Sequence, residues 1–360
     1  MKIGIIMHPY GEKKPGGLPR IIFGWARALM SADKKNEYII FFKKTPEKKP
    51  ELPGKWKIEV LGEGRFWLDR LSKKESCDIY IFNTPVLPFF WKPKRSLTIT
   101  LDYPYKYLSA KNWRERFFRI FLGWYHGRSM KRSSHILAVS NSTKQDTKKF
   151  FGIPEEKISV IYHGYTDICK VSETSLDLPD NFFFFAGTIK ERKNVFNIIR
   201  AFEVFIRKDS DYKFVVGGKN EGVYYEKILN YTKSKKIEDK IIFLGHLNES
   251  ELSFVYKKAK ALIFPSIVEG TGFPILEAMS CGLPVITSNI FGPAELGANG
   301  GAVLVDPYDP EAIFEAMKKI AYDKEYVRVL KEKGIEQASR FSWINTGKET
   351  LDLIEKICKK

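Results

Sequence analysis

Cysteine is scarce in this chain, and long apolar runs are missing from it. The four cysteines, Cys77, Cys169, Cys281 and Cys358, lie far apart and form neither a C-x-x-C motif nor a metal-type Cys/His cluster. Such usage fits a reducing compartment. No stretch approaches the roughly 20 apolar residues that a membrane-spanning helix needs, and the apolar run after Lys2 is too short for a signal peptide. We expect a cytoplasmic protein whose contact with any membrane is peripheral.

Histidines and acidic metal-ligand patterns are also sparse. The chain has 5 histidines, and of these His8 and His163 end predicted strands. Lone histidines are more often structural than catalytic. Asp209 and Asp211 match a short metal motif, yet they lie between a predicted helix and a predicted strand and are better explained as a loop. Neither feature predicts a metal site.

The excess of positive charge lies in the first half of the chain. The net charge is +17; residues 1–170 hold 33 basic and 16 acidic residues, whereas residues 171–360 hold 27 of each. Such asymmetry favours an anionic partner for the first half, for example phospholipid headgroups, a phosphorylated acceptor or nucleic acid. A lysine-rich surface kept for solubility is the alternative.

Short apolar runs alternate with amphipathic segments along the whole chain. Runs such as KIGIIM and FFFFAG are apolar throughout, as in strands of a parallel sheet that is covered on both faces. Two series of such runs in tandem predict an α/β protein with two Rossmann-like, doubly wound parallel-sheet domains. Helices are predicted near residues 18–31, 66–75, 111–132, 141–151, 193–208, 222–235, 249–259, 274–280, 310–321 and 324–338.

The polar segment CKVSETSLDLPDN lacks periodicity and marks the domain boundary. The first domain is predicted over residues 1–170 and the second over residues 171–342. The amphipathic residues 343–360 predict a final helix that packs back onto the first domain. Ligands of open α/β sheets bind at the carboxyl ends of the strands, so the cleft between the two domains is the expected site.

The segment FPSIVEGTGFPILEAMSCGLPVITS (264–288) predicts a strand, a glycine-containing loop and a short helix. The strand ends at Pro265, Pro274 suits the first helical position, and Gly282 ends the helix. Main-chain N–H groups then lie at a helix N-terminus, where a phosphate can bind closely. The residues that supply them are Gly270, Thr271, Gly272 and Phe273.

Two glutamates stand eight residues apart in this segment. Glu269 precedes the helix, and Glu277 is expected in the first helical turn. One carboxylate can accept hydrogen bonds from sugar hydroxyls and the other can bind a ribose diol, so the pair would bracket the diphosphate of a nucleotide sugar. The alternative is a plain strand–loop–helix in which one glutamate interacts with the helix dipole and the other faces solvent.

The string EGTGFPILEAMSCGLPV resembles the E-x7-E signature of the family 4 retaining glycosyltransferases, which have the two-domain GT-B fold. Thr271 stands where the family usually has an aromatic residue, and Phe273 where it has an aliphatic one. The resemblance extends to AVSNSTKQDTKKFFGIPEEKISVIYHGYTD, to FFFFAGTIKERKNVFNIIRAF, to GAVLVDPYDPEAI and to the closing helix. It covers nearly the whole chain from about residue 130 onward.

The resemblance implies a second part of the site in GTIKERKN, which begins at Gly187. Family members place an arginine and a lysine here against the donor diphosphate; Lys193 matches the lysine, and Arg192 is the adjacent basic residue. Thr188 stands where many members have another arginine, so whether Arg192 takes over that role stays open. Such cations would stabilise the charge that develops on the leaving phosphate. The GT-B arrangement then needs no metal ion and no cofactor besides the donor.

The first domain supplies further candidates. Gly16 and Gly17 follow the first predicted strand, where the family has a glycine turn beside the donor phosphates. After SLTITL many relatives have His-Asp, whereas this chain has Leu101 and Asp102. Asp102 could act near the acceptor hydroxyl, or it could cap a turn.

The segment KNWRERFFRIFLGWYHGRSMKR (111–132) combines basic and aromatic residues. The helical spacing of Phe117, Ile120, Phe121 and Trp124 favours an ordinary helix that buries them in the first domain. An amphipathic helix that docks on a membrane is the alternative.

Together these features predict a retaining glycosyltransferase. It would move a sugar, with mannose as first candidate, from a nucleotide-diphosphate sugar to a hydroxyl of a glycan or lipid-linked glycan. We expect the basic first domain to meet an anionic membrane surface and no nucleic acid, because the charge is mostly scattered lysine. The alternatives are a GT-B-type sugar-nucleotide epimerase or phosphorylase, and a basic nucleic-acid-binding module.

Overall fold

The structure of the chain is a computed structural model. It describes residues 1–10, 17–47, 49–172 and 174–359.

The chain divides into two compact units. The first comprises Met1–Gly164 and Phe341–Lys360, and the second comprises Tyr165–Arg340. Each unit contains one parallel β-sheet.

The first unit has a sheet of seven strands: β1 (Lys2–Ile6), β2 (Glu37–Phe42), β3 (Trp56–Val60), β4 (Ile79–Phe82), β5 (Ser96–Thr100), β6 (His135–Ala138) and β7 (Ile158–Val160). Their order is β3-β2-β1-β4-β5-β6-β7, and every neighbouring pair is parallel. The central strands are buried on both faces, which is why they form continuous apolar runs in the sequence.

Three helices follow strands of this sheet: α1 (Gly17–Ala32), α2 (Trp113–Arg132) and α3 (Asn141–Phe151). The side chain of Ser140 accepts a hydrogen bond from the Thr143 N–H and so caps the start of α3, and Gly152 ends it in a left-handed conformation with φ of 61°. The helix predicted near residues 66–75 is a 3₁₀ helix, Trp67–Lys73.

The expected burial of the apolar stripe of α2 is wrong. Phe117, Ile120, Phe121 and Trp124 are all exposed, and the buried residues of this helix lie from Gly123 onward. A helical stripe shows that side chains share one face, but it does not show whether the partner of that face belongs to the same chain. No helix of the described residues is long and apolar enough to cross a membrane.

The second unit has a sheet of six strands: β8 (Phe182–Ala186), β9 (Lys213–Gly217), β10 (Ile241–Gly245), β11 (Ala261–Phe264), β12 (Val285–Ser288) and β13 (Val303–Val305). Their order is β10-β9-β8-β11-β12-β13, again parallel throughout. The four consecutive phenylalanines of β8 are fully buried, so both faces of this strand lie in the core.

The helices of the second unit are α4 (Val195–Ile206), α5 (Val223–Lys235), α6 (Glu249–Lys258), α7 (Phe273–Ser280), α8 (Phe291–Leu296), α9 (Pro310–Tyr322) and α10 (Lys324–Ser339). Six of them match predicted helices. The short α8 was missed, because its sequence FGPAEL contains a Gly-Pro pair that is typical of turns.

The last helix, α11 (Trp343–Lys359), packs against α1 in the first unit. Trp25 of α1 donates an Nε1–H hydrogen bond to the Thr350 hydroxyl at 2.9 Å. A Cβ on Gly347 would lie 2.2 Å from the carbonyl oxygen of Ala28, so only glycine permits this approach of the two backbones. The two doubly wound parallel sheets and the return of the final helix confirm the predicted fold class.

One pair of cysteines departs from the expectation of a reducing compartment. Cys169 and Cys281 form a disulfide, with 5.5 Å between their Cα atoms and a sequence separation of 112, while Cys77 and Cys358 are free. Disulfides are typical of oxidising compartments. The spacing of the cysteines could not reveal the pair, because it forms only when the 3₁₀ turn at Ile168–Lys170 meets the end of α7.

We expect thiol titration of the denatured, unreduced protein to detect two of the four cysteines, and all four after reduction. The Cys77→Ser variant should retain one detectable thiol before reduction, and Cys281→Ser should expose Cys169 and give three. Four thiols in the unreduced wild-type protein would contradict the disulfide.

Candidate functional site

The sheet of the second unit reverses its direction of growth between β8 and β11. Strands β9 and β10 extend the sheet on the β8 side, and β12 and β13 extend it on the β11 side. The connections that leave the carboxyl ends of β8 and β11 therefore run in opposite directions along the sheet. In open parallel sheets this is the position at which ligands bind.

The segment after β8 begins with Gly187, which packs closely against Gly218 of the neighbouring segment. Gly187 has φ of +141° and Gly218, after the neighbouring β9, has φ of +136°. A Cβ on Gly218 would lie 2.1 Å from the Gly187 carbonyl oxygen. Both positions therefore require glycine, and Gly187, predicted as a donor-binding residue, has at least this backbone role. The predicted residue Thr188 follows it and is half-buried.

A short 3₁₀ turn, Glu191–Lys193, then presents Arg192 and Lys193. The Ile267 N–H donates to the Arg192 carbonyl oxygen at 2.8 Å, which joins this turn to the segment after β11.

Asn194 ends the turn in a left-handed conformation, with φ of 63°. Its buried side-chain amide donates to the carbonyl oxygens of Pro265, at 3.0 Å, and Pro307, at 2.5 Å. The sequence reasoning did not select Asn194 as a site residue, although it is the last letter of the family-like GTIKERKN string. It is a positioning residue that fixes the two cations against the β11 loop.

Glu269 lies between the two predicted cations. Its Oε2 accepts a hydrogen bond from Arg192 Nη1 at 2.8 Å, and it also forms an ion pair with Lys193. Arg192 Nη1 also donates to the Val268 carbonyl oxygen at 3.1 Å, and Lys193 Nζ lies 4.4 Å from the centre of the Phe264 ring. The side chains of Glu269 and Lys193 are each 13% exposed. The structure thus brings three of the four predicted catalytic residues into one partly buried ion cluster.

The cations control the ionisation of Glu269. Burial acts to raise the pKa of this carboxyl, but the charges of Lys193 and Arg192 and their hydrogen bonds outweigh burial, so its pKa is lowered. Glu269 is therefore a carboxylate at neutral pH and can only accept hydrogen bonds.

The loop after Glu269 leads into α7. Gly272 precedes the helix, Phe273 and Pro274 begin it, and Thr271 is buried. Helix α8 packs tightly on this loop, since a Cβ on Gly292 would lie 2.0 Å from the Gly270 carbonyl oxygen. The N-terminal end of α7, whose helix dipole attracts anions, is thus held in a packed loop that follows Glu269, while the Ile275 and Leu276 N–H groups donate to the Gly272 carbonyl oxygen.

The prediction that Glu277 lies in the first turn of α7 is wrong. The helix begins at Phe273, and its first turn holds no acidic residue. The side chain of Glu277 is only 1% exposed, and Oε2 accepts a hydrogen bond from the Tyr256 hydroxyl of α6 at 3.3 Å. The two glutamates therefore have different immediate partners: Glu269 contacts cations, and Glu277 contacts a phenol.

The remaining predicted residues belong to the first unit. Asp102 follows β5 and is half-buried, and Gly17 is the first residue of α1. Gly16 lies outside the described residues.

Comparison with known families matches both units. The model of the family Glycosyltransferase Family 4 matches residues 15–167, and the model named Glycosyl transferases group 1 matches residues 170–337. The two matches meet near the division between the two units.

Two curated relatives indicate the chemistry of this group. The serotype-specific mannosyltransferase WbdA of Escherichia coli is 29% identical over 259 residues, which are 69% of this chain and 31% of WbdA. The O-antigen chain mannosyltransferase RfbU of Salmonella typhimurium is 34% identical over 194 residues, 53% of this chain and 52% of RfbU. The chain thus spans about a third of one relative and about half of the other.

Two solved structures share the fold over almost the whole chain. A sucrose-phosphate synthase from Thermosynechococcus elongatus has a TM-score of 0.79 at 16% identity and covers 99% of this chain and 98% of its own. HepE of Anabaena, in complex with UDP and glucose, has a TM-score of 0.76 at 16% identity and covers 99% of both chains. These likenesses confirm the predicted fold class.

The lowered pKa of Glu269 predicts how this cluster affects stability. The folded chain holds this carboxyl proton more weakly than the unfolded chain, whose glutamates titrate at about pH 4.3. The cluster therefore stabilises the second unit above that pH, and the stabilisation is lost as pH falls through the folded pKa. We expect Glu269→Gln to lower the melting temperature near pH 7 and the difference from wild type to shrink below about pH 4.

Thermal unfolding followed by circular dichroism between pH 3.5 and 7 would measure this difference. The matched control is Glu315→Gln, which breaks an exposed ion pair with Lys318 and should change the melting temperature little at any pH. A Glu269→Gln difference that is equally large at every pH would contradict the assigned ionisation.

Proposed function

The chain belongs to glycosyltransferase family 4, and we propose that it transfers a sugar from a nucleotide-diphosphate sugar to an acceptor hydroxyl with retention at the anomeric carbon. The observation that carries the proposal is the Arg192–Lys193–Glu269 ion cluster beside the N-terminus of α7, at the point where the sheet order reverses.

The cations and the helix N-terminus suit a departing diphosphate. When the bond between the sugar and the diphosphate breaks, negative charge accumulates on the phosphate oxygens, and fixed positive groups lower the energy of that state. Lys193 and Arg192 supply two such charges, and the N-terminal end of α7 adds the positive end of its helix dipole. These groups do the work of a metal ion, so we propose that the reaction needs neither a metal nor a cofactor.

Glu269 has a second part in this proposal. In the free protein its single negative charge offsets part of the charge of the two cations and holds both toward one point, although they are partly buried. When the diphosphate binds, the phosphate oxygens compete for the same cations. The carboxylate can then accept hydrogen bonds from hydroxyls of the sugar, whose carbon becomes positively charged as the bond breaks.

Glu277 is proposed to bind the ribose. Its carboxylate is oriented by the Tyr256 hydroxyl and lies one turn further along α7 than the proposed phosphate site. A carboxylate with two oxygens can accept a hydrogen bond from each hydroxyl of a ribose diol.

The sugar and the acceptor are inferred from the names of the relatives. WbdA and RfbU are both named mannosyltransferases, so we propose mannose as the sugar. RfbU is named for the O-antigen chain, which supports a glycan or lipid-linked glycan as the acceptor. We propose that transfer occurs at the cytoplasmic face of an anionic membrane, which the basic first unit contacts; the Cys169–Cys281 disulfide is then one of the exceptional intracellular disulfides. Asp102 is proposed to act near the acceptor hydroxyl in that unit.

The proposed roles of the cluster predict how kcat changes when a cation or the carboxylate is removed. Lys193→Ala and Glu269→Gln should each lower kcat at least ~100-fold, because each removes a group that acts on the transition state. The control Lys318→Ala removes an exposed lysine of the same unit and should leave kcat within about twofold. Initial rates of nucleotide release from the donor would measure both, and a near-normal rate in either cluster variant would refute the role given to that residue.

Donor binding can be tested without turnover. GDP or UDP at ~100 times its dissociation constant should stabilise the second unit by about 2.7 kcal/mol and raise its melting temperature. Glu277→Gln should reduce this shift at a given nucleotide concentration, because it weakens the contact with ribose, whereas Glu315→Gln should not. If neither nucleotide, nor GDP-mannose or a UDP-sugar, shifts the melting temperature or is turned over, the proposed function is wrong.

A further inference from the structure

One face of α2 carries a row of exposed apolar side chains. Trp113, Phe117, Ile120, Phe121 and Trp124 have exposed fractions of 67%, 67%, 61%, 49% and 52%. Their spacing of i, i+4, i+7, i+8 and i+11 places them in one stripe along the helix. Five large apolar groups at this exposure are far more than scattered surface residues explain.

The stripe continues beyond the helix. The ring of Trp124 lies 6.3 Å from that of Phe89, Phe89 lies 5.0 Å from Phe90, and Phe90 lies 5.1 Å from Phe66. Phe90 is 72% exposed and Phe66 is 45% exposed. We call the exposed set, Phe66, Phe90, Trp113, Phe117, Phe121 and Trp124, the aromatic surface.

Arginines border the aromatic surface. The guanidinium carbon of Arg114 lies 5.4 Å from the Trp113 ring, and that of Arg65 lies 5.9 Å from the Phe66 ring. Arg116 is exposed on the other side of the stripe. Residues 111–132 contain seven basic residues and one acidic residue, Glu115, and Glu115 is paired with Arg119 at 2.6 Å. The border is therefore strongly positive.

We propose that the aromatic surface inserts into the headgroup region of an anionic lipid bilayer. Tryptophan and phenylalanine rings partition into the boundary between headgroups and acyl chains, and arginines beside them bind anionic headgroups. The proposal names the surface through which the membrane partner of the proposed function is bound, and in that respect it rests on the proposed function.

The charges favour a bilayer over a second copy of this chain. A symmetric dimer through this surface would bring the same patch of both copies together and so place the two arginine borders against each other. Such like-charge contact is unfavourable unless anions intervene. An anionic bilayer can bury the aromatic rings at its interface and bind the arginines through its headgroups at the same time.

The test uses the full chain and large unilamellar vesicles of phosphatidylcholine with phosphatidylglycerol at equal amounts, compared with phosphatidylcholine alone. Wild type should sediment with the anionic vesicles, and the double variant Phe117→Ser with Phe121→Ser should bind at least tenfold more weakly. The control variant Ile335→Ser with Ile344→Ser removes two exposed helical apolar residues elsewhere, 50% and 69% exposed, and should bind as wild type does. Equal binding by wild type and the aromatic variant would overturn the proposal.

A second measurement reports insertion directly. Lipids with brominated acyl chains should quench the fluorescence of Trp113 and Trp124, and the double variant Trp113→Phe with Trp124→Phe should lose this quenching while it still sediments. Arg114→Gln with Arg116→Gln should reduce the preference for phosphatidylglycerol. Concentration-dependent self-association that Phe117→Ser with Phe121→Ser abolishes, without vesicle binding by wild type, would assign the surface to a second copy instead and overturn the proposal.

Donor turnover in the absence of vesicles separates this proposal from the proposed function. A protein that hydrolyses the donor but does not bind vesicles refutes only the aromatic surface. A protein that binds vesicles through this surface but neither binds nor turns over any nucleotide sugar refutes only the transferase function.

Discussion

The site of the second unit depends on a carboxylate held between two cations away from bulk water. An isolated charge in such a place is strongly unfavourable, and removal of one partner from a buried ion pair typically costs about 3–5 kcal/mol. Glu269, Arg192 and Lys193 are therefore stable only together, and they come from segments 76 residues or more apart in sequence. The parallel pairing of β8 with β11 is what brings these segments to one edge of the sheet.

The residues around the cluster fix the segments after β8 and β11 against each other. Asn194 ties the cation-bearing turn to the carbonyl oxygens of Pro265 and Pro307, and the glycines at 187 and 218 let the neighbouring strand ends approach each other. Such constraints reduce the freedom of the charged side chains before any ligand arrives. A preorganised site of this kind loses less entropy and reorganises less when charge develops in the transition state.

Much of this was predictable from the sequence because parallel strands that are buried on both faces leave continuous apolar runs, as the four phenylalanines of β8 do. The grouping of Glu269 with Lys193 was reached through the family resemblance, since no local pattern links residues so far apart. The features that were not predicted from the sequence depend on tertiary contacts. The burial of α2, the pairing of Cys169 with Cys281 and the packing of α8 on the Gly270 loop are decided by neighbours distant in sequence. The predicted position of Glu277 in the first helical turn was wrong for a local reason: α7 begins at Phe273, one residue before the proline that was predicted to start it.

The two proposed anion-binding sites, one in each unit, differ physically. The second unit, Tyr165–Arg340, has 24 basic and 25 acidic residues, and its proposed donor site relies on a few cations fixed at close range in a partly buried cluster. The first unit has 36 basic and 18 acidic residues, and many of its lysines and arginines are exposed. At physiological ionic strength exposed charges are screened beyond about 8 Å, whereas buried pairs are screened much less. Salt should therefore weaken the proposed contact with the membrane at concentrations that leave donor binding largely intact. Under the two proposals, the exposed charge would govern how often the protein meets the membrane, and the partly buried charge would govern the reaction of the bound donor.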